Sequence, residues 1–421
     1  MIIEVKFLPD AGRLKPSRVA GRGSNPKPAR NLRPSSLGSR RRKEADFDQL
    51  ALNPPPYVGG YQAWARSRFE ILFLCVTLGL AGCATQKQPN VQNGASAIIP
   101  ARGPAVPMSL ATQEKILTID PENVSQTEIN EVLAQAPAPR IINIHGGILP
   151  RHANMNSFSE FLIGMGYPAA SIRHPNDGTY TFGYYDKSDM IAGVIAAYYE
   201  SDGLRPMMVG FSQGGFQAMR VLHKLAGDSV DRLSVWNPLT EESEARYEIT
   251  DPLTGKARPV VGLQVSYVCV AVAGGLGRWL PNQWDMSDKL RKIPDSVEEF
   301  TGFQKGLDPL GGDYLGYGPS NDYKATGSAV VRNLRLPPTY GHASIPDTRH
   351  LAKDPAIRDW LNHYRPTDAP TVTLQLDVKF DADSTHILWA AEVWYSIKKH
   401  WVLELQRKIR AQQSTANHAG R

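Results

Sequence analysis

Within MMVGFSQGG, the run from Met207 to Gly215, the residues Gly210-Phe211-Ser212-Gln213-Gly214 set one serine between two glycines. An apolar stretch precedes them, and the helical pattern GGFQAMRVLHKLAG (214–227) follows. On a turn this tight between strand and helix, small flanking residues let the backbone bend and push the serine hydroxyl clear of it. Ser212 is therefore a candidate nucleophile, although the same five residues would also serve as a glycine-rich turn with a solvated serine. A second glycine pair, His145-Gly146-Gly147, stands directly after the apolar run IINI. The chain has no P-loop, C-x-x-C pair, H-E-x-x-H or G-x-G-x-x-G. Phosphate-loop, dithiol, zinc-peptidase and dinucleotide readings so have no foothold, and neither a metal nor a cofactor is expected.

Such groups need a framework, and the chain alternates short apolar runs with helical patterns. Strands are expected at IINI (141–144), AASIR (169–173), PMMVG (206–210), LSVWNP (233–238), EEFTGF (298–303) and AVVRNLRL (329–336). Helices are expected at 157–164, at SDMIAGVIAAYYES (188–201), at 214–227 closed by Gly227, and at DPAIRDWLNHY (354–364). This order argues for a mostly parallel sheet with helices on both faces, in which ligands sit beyond the carboxyl ends of the strands. Residues 239–298 interrupt the pattern and read as an insertion able to cover the site as a lid, with a core strand at 265–272 as the competing reading. At the end, TVTLQLDV (371–378) alternates like an edge strand. ILWAAEVWYSIKKHWVLELQRKIR (387–410) reads as a long amphipathic helix with its tryptophans in the core; membrane-surface or partner contacts are the other options.

The 421 residues, 42% of them apolar, suffice for one large domain or two ordinary ones with a substantial core. The net charge of +6 suggests nucleic acid only until it is located. Residues before Cys83 hold 14 Lys/Arg against 6 Asp/Glu, a surplus of +8, which leaves −2 for the rest. The basicity belongs to the leader, and no nucleic-acid partner is expected. Residues 1–60, rich in Pro, Gly, Ser and Arg, read as disordered or as a start assigned too early. Residues 61–83 bring Arg66 and Arg68, a short apolar run and Leu80-Ala81-Gly82-Cys83, which resembles a bacterial lipoprotein signal. That resemblance implies export to the cell envelope and a lipid on Cys83 that anchors the protein without inserting it. Residues 84–110 suit a flexible tether. Cys75 and Cys83 fall in the signal segment and Cys269 stands alone, so no disulfide scaffold is expected.

Over roughly 141–364 the chain resembles an α/β-hydrolase, with 111–366 as the domain and 367–421 as an extension. The His145-Gly146-Gly147 element is similar to the glycine loop of lipases and esterases, which implies an oxyanion hole from the backbone N–H of Gln213 and that of Gly146 or Gly147. His145 would hold the loop by hydrogen bonds. The resemblance also implies the chain order serine, acid, histidine. Gly306-Leu307-Asp308 follows the expected strand EEFTGF and makes Asp308 the first choice of acid, with Asp313 and Asp322 competing. His342, after AVVRNLRL and behind Gly341, is the first choice of base, and His350 is its rival. His174 is a candidate substrate contact. The implied activity is serine hydrolysis of carboxylic esters, small or lipid, through an acyl-enzyme. The alternatives are amidase, peptidase or acyltransferase chemistry with the same triad, or an inactive hydrolase fold serving as an envelope scaffold.

Overall fold

The structure is a computed structural model and describes residues 108–148, 151–228, 230–312 and 321–419. The expected leader, the signal segment with Cys83 and nearly all of the tether lie outside the described residues, as does Asp313.

Six parallel strands form the central sheet: β1 (Ile141–Ile144), β2 (Met207–Phe211), β3 (Val265–Ala271), β4 (Val297–Lys305), β5 (Val330–Leu336) and β6 (Thr371–Thr373). They lie side by side in chain order. Register is explicit: Gly210 of β2 pairs with Ile144 of β1 and Val270 of β3, and Leu336 of β5 with Lys305 of β4. All six carboxyl ends therefore fall along one edge.

Helices cover both faces. The first face carries α1 (Leu110–Thr118), α2 (Gln126–Glu131), α3 (Arg151–Gly164), α6 (Pro355–His363) and α7 (Ile387–Ala419). The second carries α4 (Ser188–Asp202) and α5 (Gln213–Leu225). Strand residues divide between them with a period of two: Met207, Val209, Phe211, Tyr267 and Cys269 face the first, Met208, Val268 and Val270 the second. Burial on both faces explains why the strands read as continuous apolar runs rather than as alternating ones.

Caps set the helix ends. The Asp354 carboxylate accepts from the N–H groups of Ala356 and Ile357 at the start of α6, with Pro355 as its first residue. The Ser125 side chain and Glu128 form a reciprocal capping box on α2. Gly227, at φ +84°, turns the chain away after α5.

Four expectations need correcting. AASIR is no strand: Pro168 opens a 3₁₀ turn over Ala169–Ser171, and beyond β1 the sheet carries only one isolated bridge, Ile144 to Phe182. LSVWNP is apolar because Leu233 and Val235 are buried, yet only Trp236–Asn237 is extended, and it pairs antiparallel with Glu242–Ser243 outside the main sheet. Its backbone crosses α4 where Gly193 leaves room; a Cβ there would sit 2.9 Å from the Trp236 nitrogen. Residues 239–298 are not one insertion. Two small hairpins come first, but Val265–Ala271 is β3, in the middle of the sheet, and β4 begins at Val297. In 367–421 the expected strand is shorter than TVTLQLDV suggests, with only Thr371–Thr373 pairing as β6 at the sheet edge, while Trp389, Trp394 and Trp401 of α7 are fully buried, as expected. Three such side chains each bury on the order of 200 Å², so removing α7 would expose the part of the first face that they cover.

Candidate catalytic site

The turn between β2 and α5 is the most constrained piece of backbone at the carboxyl edge. Ser212 has φ 53° and ψ −119°, outside the regions a side chain favours, at a cost of about 1–3 kcal/mol. The strain is held by neighbours. The Ser212 N–H donates to the Ala271 carbonyl of β3 at 2.8 Å, and α5 starts at the next residue. Close approach, rather than backbone freedom, decides the flanking glycines. A Cβ on Gly210 would lie 2.6 Å from the Gly214 carbonyl oxygen, and one on Gly214 would lie 2.8 Å from that of His145. The two glycines thus let the turn fold on itself and sit against the end of β1.

Three neighbouring strands end alike. Val272 after β3 and Leu307 after β4 have φ of 48° and 55°, so non-glycine residues in the left-handed region follow β2, β3 and β4 in turn. Strain of this kind clusters where the surroundings over-determine the backbone.

The expected acid and base stand after β4 and β5. Asp308, in the turn after β4, is 2% exposed, and its Oδ1 accepts from the N–H groups of Leu310 at 3.1 Å and Gly311 at 3.3 Å. Its Oδ2 lies 2.6 Å from Nδ1 of His342, which stands on the loop after β5. Nε2 of His342 lies 3.1 Å from Oγ of Ser212. Burial pushes the Asp308 carboxyl upward, but the hydrogen bond and charge of His342, with the two backbone N–H groups, outweigh it and hold the carboxyl below its usual range. A carboxylate kept ionised on Nδ1 holds the proton there and leaves Nε2 as the acceptor facing the serine.

The glycine loop after β1 reaches the serine as well. A Cβ on Gly146 would sit 2.9 Å from the Ser212 Cβ and 3.1 Å from the Phe211 carbonyl oxygen, so the loop backbone lies against the nucleophile turn. As the first residue of α5, Gln213 has an N–H with no acceptor inside the helix. These are the backbone groups expected at an oxyanion hole. His145 Nδ1 is 2.8 Å from the Gly146 carbonyl, a local bond that braces the loop, and the ring packs at 4.1 Å on His152.

Ser212, His342 and Asp308 are thus brought into one chain, with Gln213, Gly146 and Gly147 beside it. The rivals are not. His350 has its Nε2 3.8 Å from Asp383 and no bond to the serine, and Asp322 faces Arg335 at 3.5 Å. His174 is buried edge-on against Phe182, 3.8 Å from Glu241.

Two contributors escaped the sequence reading. Gly311 lies against the His342 ring, since a Cβ there would meet His342 Cε1 at 2.5 Å; the doubled glycine shortly after Asp308-Pro309 is its signal in the sequence. Phe211 packs its ring 5.6 Å from that of His342, a contact a strand residue does not announce.

Above this edge sit two 3₁₀ segments, Gly275–Trp279 and Pro281–Met286. The Leu276 N–H donates to the Pro309 carbonyl at 2.9 Å, which ties them to the acid turn. Leu276, Trp279, Leu280, Trp284, Leu307 and Leu310 are all exposed. Two surface clefts lie elsewhere: one is lined by Asp231, Arg246 and Tyr247, the other by Arg205, Arg258 and Arg407. Neither includes a residue of the Ser-His-Asp chain, so the chemistry of the side chains, not cleft size, marks the candidate site. Among the described residues no group of His, Cys, Asp and Glu could hold a metal ion. No helix among them is long and apolar enough to cross a membrane. In comparisons with protein-family models, with curated proteins and with solved structures, nothing matches this chain.

Proposed function

We propose that the protein is a serine hydrolase of α/β-hydrolase type acting on carboxylic esters. One observation carries the reading: Ser212 Oγ, His342 and Asp308 form a continuous chain at 3.1 and 2.6 Å, with the serine on a strained turn. Ser212 Oγ attacks the acyl carbon while His342 Nε2 takes its proton. Asp308 stabilises the imidazolium that forms. The negative charge that develops on the carbonyl oxygen is met by the N–H of Gln213 and that of Gly146 or Gly147, donors worth about 3 kcal/mol each in comparable sites. The imidazolium then protonates the departing alcohol, and water, deprotonated by the same nitrogen, releases the acid from the acyl-enzyme.

The exposed apolar rim at Leu276, Trp279, Trp284 and Leu310 supports a lid over the acyl site, and hence an ester with a sizeable apolar chain. A lipid on Cys83 would hold the enzyme at the bacterial envelope near such substrates.

The deciding experiment is fluorophosphonate labelling of the purified chain from residue 84 onward, followed by peptide mapping. A single adduct on Ser212 with turnover of p-nitrophenyl esters is the expected result. A folded protein with no adduct would overturn the hydrolase reading in favour of a scaffold. An adduct with amide but no ester turnover would move it to an amidase or peptidase. Turnover that depends only on monomeric substrate, with no rise at micelles, would remove the lid.

A further inference from the structure

On the far side of the Asp308 turn, two arginines converge where none of the described acids meets them. A Cβ on Gly274 would sit 2.7 Å from Nη2 of Arg291 and 3.7 Å from Nη2 of Arg278, so both guanidinium groups close on one point. The Nε and Nη1 of Arg291 and the Nε of Arg278 are buried without a hydrogen-bond partner. Among the described residues neither arginine has a carboxylate within 4 Å. Among the described acids, the charge of Asp322 acts on Arg291, and Arg335 engages that carboxylate at 3.5 Å. Arg291 lies over the ring of Tyr323 at 4.2 Å, and Arg278 donates one bond to Asn321. Both arginines are partly exposed as whole residues, so neither is sealed in the core.

Two like charges held together with unsatisfied donors cost free energy unless an anion completes them. Other arginines of the described residues do meet carboxylates: Arg205 and Arg407 share Glu404, Arg246 meets Glu200, Arg258 meets Asp251, and Arg332 meets Glu392. The arginine fork is suited to an oxyanion such as a phosphate or carboxylate group, which accepts two bonds at once. Burial, and the neighbouring charge of Arg278, push the Arg291 guanidinium down, as expected of a positive site that lacks its counter-ion.

We infer that Arg278 and Arg291 form an anion-binding site at Gly274 that takes a phosphate or carboxylate group. It stands apart from the hydrolase reading, although Gly311 joins the two places: a Cβ on Gly274 would lie 2.9 Å from the Gly311 carbonyl oxygen, and Gly311 touches His342.

The test is titration of the full-length protein with inorganic phosphate, by calorimetry and thermal melting, against sodium chloride at matched ionic strength. A saturable phosphate-specific rise in melting temperature is expected in the parent. Arg291→Lys and Arg278→Lys, which keep the charge but lose the fork, should each weaken phosphate by about tenfold. Should a variant fail to fold, competition of acetate and citrate against phosphate in the parent reads the same site, and citrate displacing phosphate supports it. A parent that responds to phosphate no more than to chloride, or lysine variants with unchanged affinity, would overturn the inference.

Discussion

At the carboxyl edge of the sheet, Asp308 is buried and bonded to His342, whose far nitrogen meets a hydroxyl. Under α7, Glu392 is just as buried, but it accepts from Arg332 Nη1 at 2.9 Å and from the Tyr364 hydroxyl at 2.6 Å and goes no further. Glu404 is closed in the same way by the Arg205 N–H at 2.7 Å and the Arg407 guanidinium at 2.6 Å. Both regions bury charge, so burial does not distinguish them. What differs is the end of the chain of bonds. On the α7 face Glu392 and Glu404 are met by arginine guanidinium groups, a tyrosine hydroxyl and a backbone N–H, which fixes packing. At the edge the bonds terminate in a serine oxygen on a strained turn, flanked by two more strand ends with positive φ. Charge that ends on a reactive group, held by strained backbone, is the mark of a site; charge that closes on itself is a mark of architecture.

The largest test of that contrast is Ser212→Ala. Ester turnover should fall by roughly five to six orders of magnitude, with circular dichroism and melting nearly unchanged, because alanine keeps the Cβ and the strained backbone. Unchanged turnover would deny Ser212 its role. Next comes Asp308→Asn, which keeps the shape but offers Nδ1 the wrong partner, and kcat should drop by roughly 10⁴-fold. A drop of less than tenfold would assign the acid to another residue.

Glu392→Ala should act on the other region alone. Leaving the Arg332 guanidinium buried and unpaired costs about 3–5 kcal/mol in urea denaturation, while fluorophosphonate labelling of Ser212 persists in the folded fraction. Loss of labelling in protein that remains folded would mean the two regions are coupled after all. The smallest expected effect is at Lys398, buried among the Val124 and Asn362 carbonyls, where burial pulls the ammonium down to about 7 from 10.5. Because the folded value is the lower one, the unfolded chain binds the extra proton between these pH values, and stability rises with pH across that window. Lys398→Met should flatten this rise and add about 1–2 kcal/mol at pH 6, the two lost hydrogen bonds offsetting part of the gain. An identical slope in both proteins, followed by chemical denaturation from pH 6 to 10, would place the titration elsewhere.

Much of the site was legible because its signals are local. The glycines around Ser212 answer to contacts within a few residues, or to the end of β1 just behind them, and His145-Gly146-Gly147 follows its strand directly. The parallel α/β architecture followed from the alternation of apolar runs and helical patterns, and the α7 tryptophans were expected in the core. Where the structure differs, at LSVWNP, the buried Leu233 and Val235 pack in the core under α4 rather than in the main sheet, and at AASIR only Ser171 and Ile172 are buried, on a 3₁₀ turn. A run of four or five apolar residues states only that something covers it.

The amino-acid sequence by itself determined the turn, the glycine loop and the type of layer that presents them, since each depends on backbone geometry and side-chain size over a dozen residues. Only the tertiary structure decided that Val265–Ala271 lies between the strands that lead to Ser212 and Asp308, that β6 stops at Thr373, and that His342 rather than His350 meets the serine. The reason is sequence distance. His342 and Ser212 are 130 residues apart, and His342 and Asp308 are 34 apart, so their meeting is set by sheet register and by where each strand stops. Those quantities come from packing the whole chain at once, and no local pattern carries them.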